Sequence, residues 1–154
     1  MSAFGIDIEP RHIVIIPPGT SKLDALNILI DNMADGDAVQ DAEAFRRAVH
    51  EREAVMSTGI GGGVAIPHVR IPQVRYASMG IALAPEGIDY GTLDNKPVHI
   101  MILFATPEGA DKEYLRLLAQ VMAALKSRPF YEALVACRSK EEIYQILQHG
   151  AGAT

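Results

Sequence analysis

The chain has 154 residues, 49% of them hydrophobic and 21% charged, which is the composition of one globular domain with an apolar core. Its formal net charge of -5 and its 14 scattered lysines and arginines argue against a nucleic-acid-binding surface. The single cysteine, Cys137, excludes an intramolecular disulfide and a multi-cysteine metal site, and no apolar run is long enough to span a bilayer.

The N-terminal residues carry neither the basic start nor the apolar stretch of a signal peptide, so we expect a cytoplasmic protein without direct membrane insertion. No repeat or long linker divides the sequence. We therefore expect one domain over residues 1–154, with an ordered core at about residues 10–148 and loose ends outside it.

The N-terminal part predicts a strand followed by two helices. The β-branched run at residues 13–16 is typical of a short buried strand. A helix capped by Thr20 or Ser21 follows, and Asp41 caps a second helix that reaches about residue 55. The first helix carries an apolar stripe toward the core: Leu23, Leu26, Ile30 and Met33.

The middle of the chain predicts strands and turns. Four glycines in residues 59–63 exclude a stable helix, and residues 64–66 predict a short strand that leads through Pro67 to His68. Further elements follow in this order: a strand at residues 76–83, turns at residues 85–87 and 93–97, and a strand at residues 98–105.

The C-terminal part predicts helices. From Asp111 an apolar stripe recurs at three- and four-residue spacing, formed by Tyr114, Leu115, Leu118, Val121, Met122 and Leu125. Two shorter helices follow, one with Pro129 in its first turn and one with Ser139 and Glu142 as a capping box. Helices at both ends and strands between them predict an α/β fold: a single domain with a mixed central β-sheet of about four to six strands flanked by helices.

One of the five histidines stands apart by its surroundings. His68 follows a glycine-rich turn, a short strand and Pro67, a position that holds an imidazole at the mouth of a loop. A histidine nucleophile toward phosphoryl groups needs such a placement, because one ring nitrogen attacks while a hydrogen bond holds the other. Structural or solvent-facing roles suffice for the remaining four: His12, His50, His99 and His149.

A phosphorylated histidine requires positive charge and hydrogen-bond donors around it. The candidates near His68 in the sequence are Arg52, Ser57, Thr58, Arg70 and the backbone amides of residues 61–63, which are suited to an anion-binding nest. A purely structural His68, a simple tight turn at the glycines and a hydrolase that uses Ser57 or Thr58 all remain open. No nucleotide-binding or metal-binding motif occurs, so we expect no cofactor and no metal.

Arg52-Glu53 and the segment STGIGGGVAIPH at residues 57–68 resemble the active-site signature of enzyme IIA domains of the phosphoenolpyruvate-dependent sugar phosphotransferase system, in its fructose, mannitol and nitrogen-regulatory class. The similarity covers nearly the whole chain. Its further landmarks come in the family's order: residues 94–98, Thr106-Pro107, the helix from Lys112, and residues 139–143.

The resemblance implies the enzyme IIA fold of the mannitol/fructose type and a phosphoryl-carrier function without cofactors. The donor would be a histidine phosphocarrier protein, and the acceptor a sugar transporter IIB subunit or a regulatory target. His68 matches the family's phosphorylated histidine and Arg52 the arginine that stabilises the phosphorylated state. Glu53, Ser57 and Thr58 match neighbouring signature residues.

Tyr114 is a departure from the family's pattern. The family commonly carries a second histidine at the start of the long helix, where this sequence has Tyr114. A phenol can donate a hydrogen bond but cannot become cationic, so this residue predicts weaker electrostatic support for a phosphoryl group. Alternatively, Tyr114 belongs to the apolar face of the helix.

Two functions are therefore carried forward. The first is a phosphoryl carrier, with the nitrogen-regulatory branch favoured because no transporter segment is fused to the domain. The second is a non-catalytic regulatory module of the same fold that binds a kinase, transporter or transcription factor, which the replacement at Tyr114 favours.

Overall fold

The computed structural model describes residues 3–6 and 8–150, which form a mixed sheet between two layers of helices. The strands are β1 (Ile13–Ile15), β2 (Gly59–Gly61), β3 (Val64–Ala65), β4 (His68–Arg70), β5 (Ser78–Ile88) and β6 (Val98–Thr106). The α-helices are α1 (Lys22–Ala34), α2 (Ala42–Val55), α3 (Asp111–Lys126), α4 (Arg128–Val135) and α5 (Lys140–His149).

The sheet has the strand order β1-β5-β6-β3-β2, and β4 also pairs with β6. The long central strands β5 and β6 are antiparallel, whereas β1 runs parallel to β5, and both β3 and β4 run parallel to β6. The predicted α/β fold with a mixed sheet flanked by helices is confirmed.

The two central strands separate two apolar cores. Because side chains alternate along a strand, Ile102 and Phe104 face the core that includes α3, α4 and α5, whereas Met101 and Leu103 face α1 and α2. Both faces of β6 are covered by helices, which explains why its sequence is continuously apolar rather than alternating.

The helix starts follow the sequence signals. The side chains of Ser21, Asp41 and Ser139 each accept a hydrogen bond at 3.1 Å from the amide three residues further on. Ser21, rather than Thr20, is therefore the cap of α1. Along the described residues no helix combines the length and the apolar character needed to cross a bilayer.

The local predictions for residues 85–87 and for Leu23 are wrong. Residues 85–87 do not form a turn but continue β5, where the pairing with β6 shifts register between Leu83 and Ile88. Such a bulge accommodates Pro85, which has no N–H for the ladder. In addition, the apolar stripe predicted for α1 places Leu23 in the core, but its side chain is exposed.

The segment before residue 10 contributes to the core facing α3, α4 and α5. Phe4 and Ile8 are buried, and the rings of Phe4 and Phe130 meet edge to face with centroids 5.9 Å apart. At the other end, residues 151–154 of the tail expected to be loose lie outside the described residues.

Candidate functional site

His68 is the first residue of β4, next to the carboxyl end of β6. The short strands β3 and β4 both pair with β6, and Pro67 lies between them. The Pro67 carbonyl accepts a hydrogen bond from the Phe104 amide at 2.9 Å, which fixes the backbone before His68. His68 thus begins a strand instead of lying at the mouth of a loop, and the paired backbone orients its side chain.

Three residues hold the half-buried imidazole of His68. Its Nε2 lies 3.0 Å from Oγ1 of Thr106, a fully buried residue at the end of β6. Tyr114 stacks on the ring, with centroids 3.6 Å apart and planes 3° apart, and Phe104 meets it edge to face. Within the described residues no hydrogen bond engages the second ring nitrogen. The ring is thus fixed while one nitrogen remains available.

Two arginines share a groove of about 560 Å³ with His68. Arg52 lies in the last turn of α2 and Arg70 at the end of β4, where it forms an ion pair with Asp111. Burial, followed by the charges of Arg70 and Arg52, lowers the pKa of His68 to about 4, although Asp111 acts in the opposite direction. The imidazole is therefore neutral at pH 7 and its free nitrogen carries a lone pair.

Tyr114 contacts His68 through its ring face rather than through a hydrogen bond. The same ring meets Phe104 edge to face at 5.7 Å and packs against the apolar core. Burial raises the pKa of the Tyr114 phenol, so the ring is uncharged. Tyr114 thus belongs to the apolar face of α3 and also touches the candidate nucleophile, whereas its effect on a phosphoryl group stays a prediction.

Glu53 points inward into a hydrogen-bonded cluster. Its carboxylate accepts hydrogen bonds from the Thr58 amide at 2.9 Å and the Thr58 hydroxyl at 2.7 Å, and it pairs with Lys22 at 2.9 Å. The Tyr90 hydroxyl lies 3.0 Å from the Thr58 hydroxyl. Burial alone would raise the pKa of Glu53, but the hydrogen bonds from Lys22 and Thr58 outweigh it and lower this pKa.

Ser57 and Thr58 lie beside the His68 groove. With Arg52 and Tyr114 they line a second groove of about 680 Å³, and the Ser57 hydroxyl accepts a hydrogen bond from the Gly59 amide at 3.1 Å. No hydrogen bond joins either residue to His68 in the part of the chain that the structure describes. A hydrolytic pair of Ser57 or Thr58 with His68 therefore has no geometric support.

The sequence predicts that the backbone amides of residues 61–63 form an anion-binding nest for the His68 site. This prediction is wrong for the Gly62 amide. Gly62 donates its amide hydrogen to the Asp94 carboxylate at 3.0 Å, so the chain itself supplies the anion at this turn. This bond, with others from Thr92 and Lys96, lowers the pKa of Asp94 to about 2. The glycines have positive φ and shape the turn between β2 and β3.

Comparison with known proteins identifies the family. Residues 8–150 match the family model described as "Phosphoenolpyruvate-dependent sugar phosphotransferase system, EIIA 2". The chain belongs to this family. It is 30% identical over 142 residues to the fructose-specific EIIA component of the phosphotransferase system of Haloferax volcanii, an alignment that covers 91% of this chain and 92% of that protein.

Solved structures of EIIA proteins share the fold. The nitrogen regulatory protein IIA-Ntr from Neisseria meningitidis superposes with a TM-score of 0.81 at 27% identity, covering 92% of this chain and 96% of that one. The mannitol enzyme IIA in complex with phosphorylated enzyme IIB from Escherichia coli superposes with a TM-score of 0.78 at 19% identity, covering 92% of this chain and 96% of that one. This likeness shows the fold alone. The resemblance seen in the sequence is thus confirmed.

Within this EIIA domain, the structure brings His68, Arg52 and Tyr114 together and directs Glu53 and Thr58 into a neighbouring cluster. Their functional roles stay predictions. Four further residues support the site although the sequence did not predict them as site residues: Lys22, Tyr90, Thr106 and Asp111. Only one had a local signal, since Thr106 is a polar residue on the same strand face as Phe104.

Proposed function

We propose that this EIIA-family chain is a phosphoryl carrier of the phosphotransferase system that works in the cytoplasm. It accepts a phosphoryl group on His68 from a histidine phosphocarrier protein. It then passes the group to a sugar transporter IIB subunit or uses it as a regulatory signal. The supporting observation is a neutral imidazole, immobilised by Thr106 and Tyr114, with a free ring nitrogen in a groove that also holds arginine.

The proposed step needs no acid or base. The lone pair of the free His68 nitrogen attacks the phosphorus of a phosphohistidine on the donor, and a new N–P bond forms while the donor's N–P bond breaks. The donor imidazole leaves with the electron pair. In the tautomer that this step uses, the other His68 nitrogen carries the ring proton and donates a hydrogen bond to Thr106 Oγ1, so no proton has to move.

Charge at the groove favours the phosphorylated state. The transferred group spreads negative charge over three oxygens, and catalysis of such a transfer depends mainly on positioning and on positive charge. Arg52, which matches the family's arginine, lies beside His68 and contributes to the low pKa of its imidazole. Glu53 and Thr58 are positioning residues in this proposal, because they hold the segment after Arg52 in place.

Two kinds of acceptor are supported by different relatives. The fructose-specific relative supports transfer to a transporter subunit, and the mannitol neighbour was solved in complex with a phosphorylated IIB protein. The neighbour from Neisseria meningitidis is a nitrogen regulatory protein, which supports a signalling use of the same phosphohistidine.

The carrier function is tested with labelled phosphoenolpyruvate and the two general proteins of the phosphotransferase system, enzyme I and the phosphocarrier protein. We expect acid-labile label on the wild type and none on His68→Ala. The matched control is His149→Ala, which removes an exposed histidine at the end of α5 and should keep the label. A wild type that takes up no label, or a His68→Ala variant that takes up as much as the wild type, would overturn the proposal.

The second candidate is a regulatory module that does not depend on phosphoryl transfer. It is favoured by one observation: the residue stacked on His68 is Tyr114, which cannot become cationic. The discriminating measurement is binding to candidate kinases, transporters or transcription factors by the wild type, His68→Ala and His68→Asp. Equal binding by all three forms supports this module, whereas a difference between His68→Ala and His68→Asp supports control by phosphorylation.

A further inference from the structure

Arg70 and His68 lie on the same side of one short strand. They are separated by Val69, which is buried. Because successive side chains of a strand point to opposite faces, Arg70 and His68 project into the same groove, which Arg52 also lines. A second guanidinium is thus placed near the candidate nucleophile by strand geometry.

Arg70 forms an ion pair with Asp111, the first residue of α3. The Arg70 and Asp111 side chains are 45% and 64% exposed. Exposed ion pairs contribute little to stability, because water solvates both charges well and the side chains lose freedom on pairing. The Arg70–Asp111 ion pair can therefore open at small cost when a stronger anion comes within reach.

Both members of this ion pair act on His68, with opposite signs. After burial, Arg70 is the largest cause that lowers the pKa of His68, ahead of Arg52, whereas Asp111 raises it. The charge that repels a proton from the ring attracts a phosphoryl group attached to it. A phosphoryl group carries about -1.5 to -2 charges and three acceptor oxygens, more than the single charge of the Asp111 carboxylate.

We propose that Arg70 binds the phosphoryl group carried by His68, and that Asp111 holds Arg70 while His68 is unmodified. This inference rests on the proposed phosphorylation of His68 and adds a second cation and a competing anion to it. When the phosphoryl group arrives, the Arg70–Asp111 ion pair opens and the guanidinium turns to the phosphoryl oxygens. Asp111 stays favourably placed, because the first turn of a helix stabilises a carboxylate.

The proposal accounts for the replacement at Tyr114. A stacked phenol supplies no positive charge to the phosphoryl group, so the cation that would offset it has to come from another element. Arg70 is on the strand that carries His68 and is permanently charged, which makes this support independent of pH.

The test loads His68 chemically with phosphoramidate and follows the last proton of the phosphoryl group by phosphorus NMR titration. The signal is assigned by its loss in His68→Ala. We expect Arg70→Met to lower the acid dissociation constant of this proton about tenfold, since a nearby cation favours the dianion. Arg70→Lys should give a constant between those of the wild type and Arg70→Met. Asp111→Asn should raise the constant several-fold and lose most of that effect in an Arg70→Met background.

The matched control is Asp31→Asn. Asp31 pairs with Arg46 through the same kind of atoms as Asp111 with Arg70, and its side chain is 63% exposed, but this pair joins α1 and α2. We expect no change in this variant. An unchanged constant in Arg70→Met, an equal effect of Asp111→Asn in both backgrounds, or a failure of phosphoramidate to load His68 would overturn the inference.

Chemical loading separates this test from that of the carrier function. No donor protein takes part, so a failure of the phosphocarrier protein to label the chain counts against the proposed function alone. The titration on chemically loaded protein then still decides the role of Arg70.

Discussion

Two ion pairs involve residues that adjoin or line the His68 groove, since Glu53 follows Arg52 and Arg70 lines it, and the two pairs differ in exposure. The Lys22–Glu53 pair is closed: the Glu53 side chain is buried and Thr58 adds two hydrogen bonds to its carboxylate. The Arg70–Asp111 pair is open to solvent on both sides. The same kind of ion pair therefore serves two purposes, because burial makes a charge pair a fixed support whereas exposure leaves a cation free to change partner.

The largest expected effect separates the two pairs by stability. Glu53→Ala removes the acceptor for Lys22 and for both Thr58 donors, so the free energy of unfolding should fall by about 2–4 kcal/mol. Asp111→Ala should lower it by less than about 1 kcal/mol. Denaturant unfolding measures both, and similar losses in the two variants would remove the distinction between the pairs.

Acid should lower the stability of the folded chain, because it protonates Glu53 of the buried pair. The pKa of Glu53 lies below its usual value, so the unfolded chain takes up a proton at a higher pH than the folded chain does. The stabilisation is present above the ordinary glutamate pKa of about 4.3 and is lost as the pH falls through the folded value. Below pH 4.3 the wild type should therefore lose stability more steeply than Glu53→Ala. Parallel pH profiles would contradict this expectation.

Tyr90→Phe tests the outer member of the buried cluster. The substitution removes the hydroxyl that meets Thr58 but keeps the ring under the Lys22 ammonium group, which lies 4.3 Å from its centroid. We expect a loss of about 1 kcal/mol in unfolding free energy, the usual contribution of one hydrogen bond. A loss as large as that of Glu53→Ala would mean that the cluster fails as a unit.

The exposed Arg70–Asp111 pair should affect the pKa of His68 but have almost no effect on the free energy of unfolding. Arg70→Met should raise the pKa of His68 above about 4, and Asp111→Asn should lower it, because each removes one of the opposing charges. NMR titration of the imidazole measures both. Arg46→Met, which breaks a similar pair between α1 and α2, should leave the pKa of His68 unchanged. A rise of the His68 pKa in Arg46→Met as large as that in Arg70→Met would instead point to a general charge effect.

The fold was predictable from the sequence where local signals agree with packing. Apolar periodicity and caps located the five α-helices of the described residues. Four of the six strands followed from apolar or β-branched runs, whereas β2 and β4, which lie in the glycine-rich segment and at His68, were not predicted. The prediction failed at residues 85–87, because a proline and a glycine mark a bulge as well as they mark a turn. Only pairing with β6 distinguishes the two.

The site was predictable as far as it depends on the chain near His68. Arg52 and Glu53 are neighbours in the sequence, yet Arg52 lines the groove whereas Glu53 is buried against Lys22. Successive helix residues point about 100° apart, and the packing of α2 decides which one turns inward. The Asp94 carboxylate on the Gly62 amide likewise joins distant segments and leaves no local signal.

The stack of Tyr114 on His68 has an optical consequence. The chain has no tryptophan and only five tyrosines, so its near-ultraviolet spectrum arises almost wholly from phenol rings. One of these lies parallel to the imidazole at a centroid distance of 3.6 Å. A charge placed on that imidazole changes the electric field across the phenol, and Tyr114 therefore provides a built-in chromophore that reports the state of His68 without any attached label.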